Sequence, residues 1–157
     1  TTHQLWYHPG METGAHDLEL LIRSRVPIIL IETAEEPRAL ELFTRLAIAV
    51  GRPVMRWSIT SGLQRLDLDL QPQTHAKDPQ QALGQIKATG TPGIYVLLDF
   101  HPYLEDPGHV RMIKEIALGY GEAQHTLVFI SHTCELPEEL RAFSAAKRSS
   151  LDAPSML

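Results

Sequence analysis

Cysteine is nearly missing from this 157-residue sequence, which holds Cys134 alone. One thiol cannot close an internal disulfide, so stability has to come from a packed core, and the usage fits a reducing, cytoplasmic setting. Long apolar runs are missing as well. The longest, residues 26–31 and 94–98, fall far short of the roughly 20 residues that cross a bilayer, so no membrane helix is expected. Residues 1–10 lack the basic-then-apolar pattern of a secretory leader. Positive charge is in deficit: 14 Lys and Arg against 19 Asp and Glu give a net charge of -5. That balance offers no long-range attraction to nucleic acid or anionic lipid, and Arg52, Arg56 and Arg65 read most simply as parts of a solvated face.

What is present is the composition of an ordinary globular chain, 43% hydrophobic and 21% charged, of a length that suits one core. Residues 1–16, rich in His, Gly and Thr, have neither helical nor strand period and read as an irregular arm. Asp17 is placed to cap a helix with Leu18, Leu21 and Ile22 on one face, and Pro27 stops it. Residues 28–31 are β-branched or apolar on both faces, the pattern of a strand buried in a parallel sheet. Thr33 and Glu36 have capping-box spacing, Pro37 suits a first helical turn, and an apolar stripe then runs to Gly51.

Residues 54–58 read as a second strand, and residues 60–77 as a long polar excursion of the kind that serves as a partner-binding loop. Asp78-Pro79 opens the next helix, residues 94–98 form the strongest strand signal, and residues 110–118 a further helix. A fourth strand, residues 126–130, and a short helix over 136–143 follow. Strand and helix alternate, which calls for an α/β fold: a three-layer parallel sheet with helices on both faces. Ligands in such sheets bind at the carboxyl ends of the strands, which makes Thr33, Ser58, Asp99, His101, Ser131 and His132 the pocket candidates.

The junction after the first strand is the informative place. A phosphate-binding loop needs glycines whose N–H groups curl around phosphate, a Lys for charge and a Ser or Thr for magnesium. Here stand Glu32-Thr33-Ala34-Glu35-Glu36-Pro37, with no Gly, no Lys and three carboxylates. Asp99 closes an apolar strand as a magnesium-organising Asp would, and is the one catalytic candidate, although loop and cap roles are commoner for such a residue. Phe100 stands where many such enzymes carry a catalytic carboxylate. Eight histidines show no i, i+4 pair, so no metal site is expected, and Cys134 reads as a quiet thiol. A phosphorylatable receiver site would need more carboxylates than Glu32 and Asp99.

Five stretches carry a resemblance: Leu20-Leu21-Ile22-Arg23-Ser24-Arg25-Val26-Pro27, Gly51-Arg52-Pro53, Trp57-Ser58-Ile59-Thr60-Ser61-Gly62-Leu63, Leu98-Asp99-Phe100-His101-Pro102-Tyr103-Leu104 and Leu136-Pro137-Glu138-Glu139-Leu140. Together they resemble the amino-terminal, degenerate domain of the ycf-type AAA+ ATPases of chloroplast, cyanobacterial and bacterial genomes, over residues 17–143. The resemblance implies a P-loop NTPase-like (RecA/AAA-like) topology without its P-loop, and Asp99 at the Walker B place. It also implies that ATP and magnesium belong to a downstream AAA+ domain, and that this chain needs no cofactor. The function so implied is regulatory or substrate-recruiting, through protein contacts. The alternative is a small nucleotide-binding or hydrolytic enzyme using the pocket around Asp99. Beyond Phe143 the resemblance fades into the polar run Lys147-Arg148-Ser149-Ser150, so residues 144–157 read as a divergent tail. The last strand is then expected to be lacking, leaving an open edge beside the first strand and favouring a homo-oligomer.

Overall fold

The computed structural model describes residues 11–66 and 76–148. Its elements in chain order are α1 (Met11–Arg23), β1 (Ile28–Glu32), α2 (Glu36–Val50), β2 (Val54–Ser58), β3 (Gly62–Arg65), α3 (Pro79–Ala88), β4 (Gly93–Leu98), a 3-10 turn (His101–Glu105), α4 (Pro107–Leu118), α5 (Tyr120–Ala123), β5 (His125–Ser131), α6 (Glu138–Arg141) and β6 (Ser144–Arg148). The sheet order is β3-β2-β4-β5-β1-β6. Every pairing is parallel except β2 with β3.

Alternation along the strands divides the interior into two cores. Ile29, Ile31, Val96, Val128 and Ile130 point to one face, under Leu18 and Ile22 of α1 and Leu42, Phe43 and Leu46 of α2. Ile28, Tyr95, Leu97, Leu127 and Phe129 point to the other, under Leu83 and Ile86 of α3, Val110 and Ile113 of α4, and Leu140 of α6. Both faces of β4 and β5 are covered throughout, which is why those strands lack a polar side. The α/β architecture and its ATPase-like layout are therefore those expected from the sequence.

Four local expectations need correction. The first helix begins at Met11, so Asp17 lies within it and is not its cap; residues 11–16 are helical, not irregular. The N-cap of α2 is Glu35 with no side-chain cap bond, and Thr33 Oγ1 instead accepts from the Glu35 N–H at 3.0 Å. The supposed loop at 60–77 starts by folding back as β3, in register Met55 opposite Arg65 and Ser58 opposite Gly62. Gly62 makes that turn at φ 72, in the left-handed region. The rest of that loop, residues 67–75, lies outside the described residues, as does the tail from 149 onward.

The fourth correction concerns the sheet edge. β6 pairs with β1 in parallel from Ile28 opposite Ser144 to Glu32 opposite Arg148. The edge beside β1 is thus covered, and the reason given for dimerisation falls away. Residues 144–148 form a strand that the sequence does not announce, because a polar, alanine-rich stretch carries no β-branched signal. It takes strand form because the backbone of β1 beside it supplies the hydrogen-bond ladder. Asp78, by contrast, caps α3 as expected, accepting from the Gln81 N–H at 3.1 Å.

Candidate functional site

Two connections leave neighbouring strands for opposite faces of the sheet: α2 follows β1 onto the first core, α6 follows β5 onto the second. The crevice between such strands is the ordinary ligand site of an open α/β sheet. Here it is tied shut. The Thr33 N–H donates to the Ser131 carbonyl at 2.9 Å, and the Cys134 N–H donates to Glu32 Oε2 at 3.2 Å. Thr33 is 5% exposed and Ser131 4%, so the two central pocket candidates are brought together by the backbone, inside the protein. Ser131 Oγ is itself spent on the Thr133 carbonyl at 3.0 Å.

At the β1–α2 junction two backbone N–H groups are already committed and a third position has none. The N–H of Thr33 serves Ser131, that of Glu35 serves Thr33 Oγ1, and Pro37 has none. Burial, and then the charge of Asp99, push the Glu36 carboxyl above its ordinary range, with Arg56 pulling the other way. Glu36, Asp99 and Arg56 therefore share one electrostatic neighbourhood at the strand ends. Glu36 and Arg56 were not among the pocket candidates. The first stood inside the cap motif, and the second was assigned to a solvated face because sequence spacing does not show which strands adjoin.

Asp99 and Phe100 part company at the end of β4. Asp99 is exposed, with φ 52 and its N–H given to the Ile130 carbonyl at 2.9 Å. Phe100 turns inward, 1% exposed, with ring centroids at 5.2 Å from Trp57, 5.5 Å from Tyr103, 5.7 Å from Phe129 and 6.2 Å from His109. The position is occupied by the hub of an aromatic cluster, with offset edge-to-face contacts of the favourable kind. Trp57 is fixed in turn by its indole N–H donating to the Ala76 carbonyl at 2.9 Å.

The remaining candidates serve turns. Ser58 Oγ accepts from the Ser61 N–H at 3.1 Å and lies 3.2 Å from Thr60 Oγ1, shaping the β2–β3 hairpin. His101 opens the 3-10 turn, His132 lies beyond β5, and both are exposed. Among the described residues, no three or more His, Cys, Asp or Glu are grouped as a metal ion would require. Burial, with Glu32 and Glu135 nearby, raises the Cys134 thiol above its usual range despite a hydrogen bond with Ser131, which disfavours the thiolate. No helix among the described residues is long and apolar enough to cross a membrane.

An open α/β sheet with an ATPase layout and a closed switch point defines the class of this protein. Residues 15–145 match the family described as SpoVK-like AAA ATPase, N-terminal domain, and the chain belongs to that family. It is 27% identical over 131 residues to the uncharacterized AAA domain-containing protein ycf46 of Trieres chinensis, covering 80% of this chain and 25% of that protein. It is 32% identical over 129 residues to the ycf46 protein of Guillardia theta, covering 79% of this chain and 25% of that one. The chain thus spans about a quarter of the length of the curated relatives it matches. No solved structure matches it significantly.

Proposed function

We propose that this chain is a non-catalytic regulatory or substrate-recruiting domain of an AAA+ ATPase, working by protein contacts in the cytoplasm, with ATP and magnesium handled by a downstream AAA+ domain. The observation that carries the reading is the sealed β1–β5 switch point. The Thr33, Glu35 and Cys134 N–H groups are used internally, Pro37 has none, and the carboxylates of Glu32, Glu35 and Glu36 oppose phosphate. Family membership and the word AAA in the names of both relatives support the downstream domain.

Calorimetric titration of the chain with magnesium-ATP tests it. The expected result is no saturable heat at millimolar nucleotide. Tight binding that is lost in Asp99→Asn, a variant that tolerates the same left-handed backbone, overturns the proposal in favour of a nucleotide-using enzyme.

A further inference from the structure

We draw no further inference here: the strongest candidate, the patch at the amino edge of the sheet where Arg25 lies over the Tyr120 ring and Arg52 donates to the Gln124 carbonyl, keeps both guanidiniums engaged with the α5 turn, which also carries Glu122, and nothing in the structure shows what covers it.

Discussion

The two strand ends at which a nucleotide-hydrolysing protein of this layout keeps its chemistry, after β1 and after β4, are built in different ways here. After β1 the matter is one of supply. The Thr33 N–H donates to the Ser131 carbonyl and the Glu35 N–H to Thr33 Oγ1, and the side-chain charges there are negative. After β4 the matter is one of direction. Asp99 still faces solvent, but its neighbour Phe100 has turned into the core and joins four other rings. The first junction is held by hydrogen bonds, each contributing about 1 kcal/mol, and the second by close packing, which contributes several times more. The two should therefore respond very differently to substitution.

The largest effect is expected at Phe100. Truncation to alanine removes a fully buried ring and should cost about 3–5 kcal/mol, read as a fall in the denaturation midpoint. Phe100→Glu puts a carboxylate at that position and sharpens the comparison further. A charge without a partner in an aromatic cluster costs more than the cavity does, so the variant should unfold the chain and confer no ATPase activity. A folded, stable Phe100→Glu protein would mean that the end of β4 is no more committed to packing than the end of β1.

Asp99 comes next. It is one of four non-glycine residues at positive φ among the described residues, and at φ 52 its backbone is tolerable for Asp but strained for Ala. Asp99→Ala should cost about 1 kcal/mol by chemical denaturation, while Asp99→Gly should lie near neutrality, because glycine relieves the strain but gives up backbone entropy. Equal losses in both variants would show that the carboxylate, and not the backbone, matters to stability.

How much of this was legible beforehand follows from which interactions are local. The buried strands over residues 28–31 and 94–98, the Asp78 cap and the stop at Gly51, left-handed at φ 69, were visible because each depends on neighbours in sequence. β3 and β6 were not. A four-residue return strand and an alanine-bearing polar strand owe their form to β2 and β1 beside them, and pairing partners cannot be seen from one segment. The missing phosphate loop was evident from composition at residues 32–37. The sealing of the switch point was not, since Glu32 reaches the Cys134 N–H across 102 residues of chain. The same limit hid Glu36 and Arg56, whose connection with Asp99 exists only once β2, β4 and α2 have converged on one end of the sheet.

That convergence yields the smallest and most selective prediction. Burial and the Asp99 charge raise the Glu36 carboxyl, so folding favours its protonated form. For an acid raised in this way, the unfolded chain holds fewer protons than the folded one between the two titrations. Stability from this group is present in full below the ordinary carboxylate range and is lost as pH rises through the elevated folded value. At neutral pH the ionised Glu36 is therefore a mild liability, and Glu36→Gln, which keeps the shape and removes the charge, should stabilise the chain by less than about 0.5 kcal/mol. Near pH 3, where Glu36 is protonated in both states, the gain should vanish. Denaturant midpoints for the two proteins at pH 7 and pH 3 measure this directly. A gain that persists at pH 3 would assign the effect to side-chain packing, and a loss at pH 7 would mean that Arg56 outweighs both burial and Asp99.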